Sequence, residues 1–438
     1  MARIGLISLG CPKNTVDAEE ILGEVEKAGH EIETDPARAE VLIVNTCGFI
    51  RSAKEEAVDC ILDAVRYKTN GACRSVIVTG CLVQRHGEQL AKELPEADAF
   101  LGLGKVHDIA ETISRTLRGG RVMKIGEPCA WWMESRSRVL STPPWTAYLR
   151  IADGCDNRCA YCVIPSIRGG FRSRPEEIVL DEARALAKVG VKELNLVAQD
   201  ITRYGLDAEG ELLLPRLLEK LAALEGIHWI RLLYCYPTRI TDELIRAIAE
   251  NEKVCRYIDV PLQHCSDRIL RAMGRQGSKQ AYLDLFARIR ESCPEAALRT
   301  TLMVGFPGET EEEFEELMDF VERVRFDRVG VFPYSAEEGT RAALLPDKVH
   351  RSTIDRRYCR LMQRQQEISL DTNKKLVGTR IEVLIEGIKG DSLVGRSCRD
   401  APDIDGLVYV EGASALPGEF VLAEVIEARH YDLLARCD

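Results

Sequence analysis

The densest chemistry in the sequence lies in eight residues, Cys155-Asp156-Asn157-Arg158-Cys159-Ala160-Tyr161-Cys162, a C-x3-C-x2-C run. Three thiolates at this spacing can take three corners of a four-iron cluster, which cysteine ordinarily holds. No fourth Cys or His follows nearby, so one iron would keep an open position. Open coordination is what a catalytic metal site needs, whereas a structural site is closed. The competing reading, a structural zinc, wants a fourth ligand that the local sequence does not offer.

Three more cysteines stand apart in the chain but alike in context. Cys11 lies in Leu9-Gly10-Cys11-Pro12-Lys13-Asn14, Cys47 in Asn45-Thr46-Cys47-Gly48-Phe49 and Cys81 in Thr79-Gly80-Cys81. Each ends a short β-branched run. In open α/β sheets ligands bind outside the carboxyl ends of the strands, so thiols there can converge despite their separation in sequence. The alternative is three buried small hydrophobes, since free Cys is commonly buried. The other ten, Cys60, Cys73, Cys129, Cys235, Cys255, Cys265, Cys293, Cys359, Cys398 and Cys437, form no ligand spacing and read as free thiols. The seven histidines form no H-x-x-x-H pair; His264 follows a predicted strand and either faces a barrel mouth or is structural.

Strand–helix alternation must position these groups. Over residues 1–120, strands are expected at Ile4–Leu9, Val41–Asn45 and Val76–Thr79, and helices at Asp17–Ala28, Ser52–Tyr67 and Gln84–Glu93. That is a parallel sheet covered by helices, an α/β class. Residues 121–145, with Trp131-Trp132, the charged Ser135-Arg136-Ser137-Arg138 and Pro143-Pro144, read as a linker. Over 146–375 alternation resumes, with strands at Tyr148–Ala152, Glu193–Val197, Trp229–Tyr234, Tyr257–Val260, Leu298–Val304 and Arg328–Phe332. Six such units predict a closed or partly closed parallel barrel, whose sites lie at the strands' C-terminal ends. Residues 376–438 carry short strands between Gly and Asp turns and predict a small antiparallel β-barrel.

The composition sets limits on this. With 438 residues, 45% hydrophobic and 29% charged, the chain is globular rather than disordered or fibrous. No apolar run reaches the ~18–20 residues of a membrane span, and the N-terminus lacks the pattern of a signal peptide. A cytoplasmic protein is expected, and sixteen cysteines there are more readily explained by metal binding than by disulfides. The net charge of −11 is uneven: residues 376–438 hold 6 basic and 12 acidic residues, residues 121–375 hold 39 of each. An RNA-binding small barrel would need a basic groove with aromatic platforms, and here only Tyr409, Phe420 and Tyr431 are aromatic. The acidic surface suits a basic protein partner better than nucleic acid.

The C-x3-C-x2-C run with Tyr161 before its last Cys, placed after the first strand of the barrel, resembles the radical S-adenosylmethionine (SAM) enzymes. In that superfamily the open iron of a [4Fe–4S] cluster chelates SAM, and reduction cleaves SAM to a 5′-deoxyadenosyl radical. The resemblance implies cluster ligation by Cys155, Cys159 and Cys162, and SAM contacts from Gln199, Gly305 and Gly308 at later strand ends. The alternatives are a turn role for the glycines and a substrate contact for Gln199-Asp200. Arg168, Arg172 and Arg174 could hold a carboxylate of SAM or of the substrate, or form a solvated loop. With Cys11, Cys47 and Cys81, nearly the whole chain resembles the methylthiotransferase family, which carries a second [4Fe–4S] cluster on three N-terminal cysteines and ends in a TRAM-type barrel. Gly10-Cys11-Pro12-Lys13-Asn14 and Asp400-Ala401-Pro402-Asp403-Ile404-Asp405-Gly406 resemble the branch that modifies a ribosomal protein. That implies methylthio transfer to the β-carbon of an aspartate in small-subunit ribosomal protein twelve, served by an electron donor and a sulfur source. The runner-up is a transfer-RNA adenosine methylthiotransferase. The rival of another class is a non-catalytic iron–sulfur carrier, which would need no barrel of this size.

Overall fold

The computed structural model describes residues 1–128, 137–390 and 392–437. Cys129, Trp131, Trp132, Ser135 and Arg136 lie outside the described residues. Among those described, no helix is long and apolar enough to cross a membrane.

The chain begins β1 (Arg3–Ser8), α1 (Pro12–Lys27), β2 (Glu31–Ile32), β3 (Val41–Thr46), α2 (Arg51–Asn70), β4 (Ser75–Gly80), α3 (Cys81–Glu93), β5 (Ala99–Leu101), α4 (Ile109–Leu117) and β6 (Val122–Lys124). The strands form one parallel sheet in the order β2-β1-β3-β4-β5-β6. Every residue of β3 and β4 is buried, which is why these strands read as unbroken apolar runs. Strands β2, β5 and β6 are only two or three residues long, too short to show a pattern in the sequence. Helix α1 starts five residues before the expected Asp17. Pro12 occupies its first turn, where a missing N–H costs nothing, and Cys11 is left as the N-cap residue.

The second unit runs β7 (Thr146–Arg150), β8 (Ala152–Asp153), α5 (Ile164–Arg168), β9 (Arg172–Ser173), α6 (Glu176–Lys188), β10 (Glu193–Val197), α7 (Leu214–Ala222), β11 (Trp229–Leu232), α8 (Asp242–Glu250), β12 (Val254–Asp259), α9 (Asp267–Ala272), α10 (Lys279–Ser292), β13 (Ala297–Val304), α11 (Glu311–Val324), β14 (Arg328–Pro333) and α12 (Arg351–Lys374). Six of these strands form a parallel sheet in the order β14-β13-β12-β11-β10-β7. Its two edges do not pair with each other, so it is a partial barrel. The short antiparallel pair β8–β9 aligns Asp153 with Arg172 and brackets the cysteine run.

Strands β15 (Arg380–Lys389), β16 (Ser392–Ser397), β17 (Val408–Glu411), β18 (Phe420–Ala428) and β19 (Leu433–Arg436) close a five-stranded barrel. Its pairings are antiparallel except β17 with β19, which run parallel.

The three units share one core. Tyr148, Trp229, Tyr257 and Ala297 of the partial barrel pack with Leu384 and Ala401 of the small barrel and Val16 of α1. Glu193 is fully buried between Arg231 (3.0 Å) and Arg396 (2.6 Å), so one carboxylate ties the partial barrel to the small one. Burial alone would raise its pKa; the two guanidiniums, Arg396 foremost, instead bring it down to about 2. On the other side, Arg150 of β7 is fully buried and pairs with Asp17 and Glu20 (2.7 Å) of α1. Removing one partner of such a group leaves buried charge uncompensated. Arg150→Met is therefore expected to cost about 3–5 kcal/mol, read as a lower urea midpoint. A cost below about 1 kcal/mol would mean that water reaches Asp17 and Glu20.

Candidate active site

The first sheet brings Cys11, Cys47 and Cys81 to one edge, each just past the end of β1, β3 or β4. Gly10 has φ +97, and a Cβ there would lie 2.9 Å from Cys47 Cβ and 3.3 Å from its Sγ. Only glycine lets the β1 and β3 ends approach this closely. Asn14, in the first turn of α1, ties all three ends together. Its amide donates to the carbonyls of Leu9 and Thr46 (3.0 Å each), and its Oδ1 accepts from the Cys81 thiol (3.4 Å). Arg168 donates to the same Oδ1 (2.8 Å) and lies 3.7 Å from Cys81 Sγ. Burial pushes the Cys81 thiol up to about 12 and the Cys47 thiol up as well; Cys81 also feels the charge of Cys11 and Cys47, and Cys47 that of Cys11. Cys11 goes the other way. Burial acts to raise it, but Lys13, Arg168 and the backbone N–H groups at the start of α1 outweigh burial and lower it.

The second thiol set is held as firmly. Gly154 has φ +75, and a Cβ on it would stand 2.0 Å from the Gly170 carbonyl oxygen, so the β8–β9 turn closes only on glycine. Cys155 N–H donates to Gly169 O (3.1 Å), Ala160 N–H to Met273 O (2.7 Å), and Ile164 N–H to Cys162 Sγ (3.4 Å). Asn157 donates to Asp200 (3.1 Å), which also accepts from Arg239 (2.7 Å). Asp200 is thus spent on holding the cysteine loop. Burial raises Cys155 to about 11 and Cys162 to about 12. Buried Arg275 lies 3.8 Å from Cys159 Sγ and 3.2 Å from the Tyr161 hydroxyl.

A short polar chain runs from Cys81 to Asp153, just before the barrel cysteines. Gln199 donates to Asp153 (2.8 Å), Asp153 pairs with Arg168 (3.0 Å), and Arg168 reaches Asn14, Asp17 (2.7 Å) and Cys81. Gln199 Oε1 is buried and has no hydrogen-bond partner among the described residues, an acceptor left for a ligand.

Other residues singled out from sequence are structural. Arg168 and Arg174 belong to neither a solvated loop nor a carboxylate clamp. Arg168 bridges two units, while Arg174 pairs with Glu182 (2.6 Å) and Arg172 donates to Arg168 O (2.9 Å). The reason is their burial behind the cysteine loop, which sequence spacing does not reveal. Gly305 (φ +79) spends its N–H on Glu309, and a Cβ would lie 2.3 Å from Ile354 of α12. Gly308 (φ +82) offers its carbonyl to Arg268 (2.6 Å). His264 is fully buried against Glu309 (3.2 Å), which Arg357 neutralises (2.8 Å). Asp400 and Asp405 of the acidic small barrel turn inward to Arg328 (2.7 Å) and Arg299 (3.6 Å). Sequence reasoning gave no role to Lys13, Asp153, Tyr234 or Arg275.

Three cysteines in each set are the donor type that an iron–sulfur cluster takes. Among the described residues no three His, Cys, Asp or Glu side chains converge on one ion, as ligands ~2.3 Å from a zinc would. Each thiol set comes with a buried cation, Arg168 or Arg275, able to offset thiolate charge.

Residues 149–321 match the Radical SAM superfamily, residues 3–102 the Uncharacterized protein family UPF0004, and residues 377–437 the TRAM domain. The Ribosomal protein uS12 methylthiotransferase RimO of Geobacter sulfurreducens is 50% identical over 99% of this chain and 98% of its own. That of Pelotomaculum thermopropionicum is 51% identical over 98% of each. Among solved structures, the radical S-adenosylmethionine methyltransferase TsrM from Kitasatospora setae overlays with a TM-score of 0.57 at 16% identity, covering 87% of this chain and 79% of that one. This last likeness is one of fold. Identity near one residue in two, sustained from end to end through all three units, leaves one placement: the chain belongs to the RimO family and is a radical SAM methylthiotransferase.

Proposed function

We propose that this chain transfers a methylthio group to the β-carbon of an aspartate of ribosomal protein uS12. The observation that carries the reading is the pair of thiol sets, with Arg168 linking Cys81 to Asp153 beside the barrel loop, on a chain whose relatives are named for uS12. Cys155, Cys159 and Cys162 would hold one [4Fe–4S] cluster, and Cys11, Cys47 and Cys81 a second. When bound, the first with SAM supplies a radical able to take hydrogen from an unactivated carbon, and the second supplies the sulfur.

The protein's own part is placement. Asn14 and Gly10 hold the N-terminal thiols at one edge, Gly154 and Asn157 fix the barrel loop, and Arg168 keeps the two sets in register. Gln199 Oε1, unpaired and buried next to Asp153, is the SAM-facing acceptor. Gly305 and Gly308 shape the turns after β13 rather than donate to a ligand. The basic ribosomal protein docks in part on the small barrel, whose Asp403, Glu419 and Glu427 remain exposed after Asp400 and Asp405 are taken inward. An electron donor and a sulfur source complete the system.

The test supplies reconstituted enzyme, SAM and reductant with uS12 in one vessel and transfer RNA in another, followed by mass spectrometry. The expected result is a gain of one methylthio group on a uS12 aspartate. Gain on transfer-RNA adenosine and none on uS12 would replace this reading with the runner-up.

A further inference from the structure

Most buried cations among the described residues have carboxylate partners: Arg150, Arg168, Arg174, Arg231, Arg328, Arg357 and Arg396 are each salt-bridged, whereas Arg275 faces the Cys159 thiol and the Tyr161 hydroxyl instead. Lys13 also lacks a carboxylate. It is buried, only 7% exposed, and has no salt bridge among the described residues; the charges that act on it most are those of Tyr234, Cys11 and Arg168. Its place on α1 makes this odder. A lysine in the first turn of a helix faces the positive end of the helix dipole and is disfavoured there without an anion to meet.

What Lys13 does touch is a residue of the partial barrel. Its ammonium stands 3.5 Å from the centre of the Tyr234 ring, just past the C-terminal end of β11. Tyr234 is one of few non-glycine residues with positive φ, +66. Such a backbone persists only when its surroundings fix it, and here they do. Asp259 accepts from Tyr234 N–H (3.0 Å), and Tyr234 O accepts from Ile201 N–H (3.2 Å). That backbone holds the ring against Lys13, at the end of β11. Lys13 therefore spans from the Cys11 loop to the strand ends that present the barrel site. Arg168 serves Cys81, and the Lys13 charge also acts on Cys11, so the ammonium stands between the N-terminal thiols and the Tyr234 ring.

We propose that Lys13, backed by Tyr234, binds the side-chain carboxylate of the substrate aspartate. This rests on the reading given under Proposed function and deepens it. An aspartate's carboxylate carbon is bonded directly to its β-carbon, so a cation that grips the carboxylate also fixes the atom to be modified. The charge-assisted bond would in turn discriminate an acid from its isosteric amide.

The experiment pairs an enzyme substitution with a substrate substitution. Holoenzyme of the wild type, Lys13→Met and Lys13→Arg is titrated with intact uS12 and with uS12 whose target aspartate is changed to asparagine. Iron is measured on each preparation. The wild type is expected to bind the aspartate form roughly ten- to a hundredfold more tightly than the asparagine form. In Lys13→Met that ratio falls to about one while affinity for the asparagine form stays within about threefold, and Lys13→Arg keeps part of the preference. Equal weakening of both forms by Lys13→Met would overturn the proposal, as would a wild type without preference. Halved iron in Lys13→Met and Lys13→Arg would assign the lysine to the thiols and overturn it too. A wild type that binds neither form strikes at the uS12 reading itself, a result distinct from all of these.

Discussion

Cys155→Ala, Cys159→Ala and Cys162→Ala are each expected to reduce reductive cleavage of SAM to the uncatalysed background. The three thiols come from one short loop whose backbone is pinned to Gly169, Met273 and Asp200 through Asn157, so a neighbour cannot move in to replace a lost ligand. With one thiol gone the loop offers two, fewer than the three that leave a single iron open for substrate. Iron should fall by about four per chain while the fold persists, because the cysteines are half-buried and alanine fills their place without a clash. The assay is release of 5′-deoxyadenosine under reducing conditions, alongside far-UV circular dichroism. Cleavage within about tenfold of wild type in any of the three, at unchanged iron, would remove that cysteine from the ligand set.

What could be read from the sequence follows the range of the interactions concerned. The barrel run stood out because its three cysteines are local: eight residues suffice to suggest the chemistry. Cys11, Cys47 and Cys81 were legible one step further, since a parallel sheet sends all its C-terminal strand ends to one edge, and the apolar runs of β3 and β4 announce that sheet. Strand β2 and the β8–β9 pair carried too few residues to show a period. Arg168 looked like part of a charged loop because nothing nearby in sequence reveals that Asp17 and Asn14 sit opposite it. The same holds for Lys13 and Tyr234, whose contact joins two units across more than two hundred residues. The acidity of the last segment was legible as composition but not as function, since Asp400 and Asp405 serve Arg328 and Arg299 rather than solvent.

Replacing Cys11, Cys47 and Cys81 together by alanine is expected to abolish methylthiolation of uS12 and to leave part of the SAM cleavage. The separation follows from geometry. The barrel loop draws its hydrogen bonds from Gly169, Met273 and Asp200, none of them in the first sheet, whereas the N-terminal thiols depend on Asn14, Gly10 and the helix α1. The polar link between the sets is Arg168, which keeps its pairs with Asp17 and Asp153 when Cys81 loses its sulfur, and alanine in place of Cys81 keeps most of the apolar packing on Val163 and Ile167. Iron should drop from about eight to about four per chain, with the remaining absorption that of the barrel set alone. Cleavage falls short of the wild-type rate because Arg168 loses one anion it faces and pulls less evenly on Asp153, the neighbour of Gln199. A triple variant that still holds about eight irons would end the assignment of a second cluster to these thiols. One that holds about four yet still methylthiolates uS12 would show that the sulfur arrives by another route.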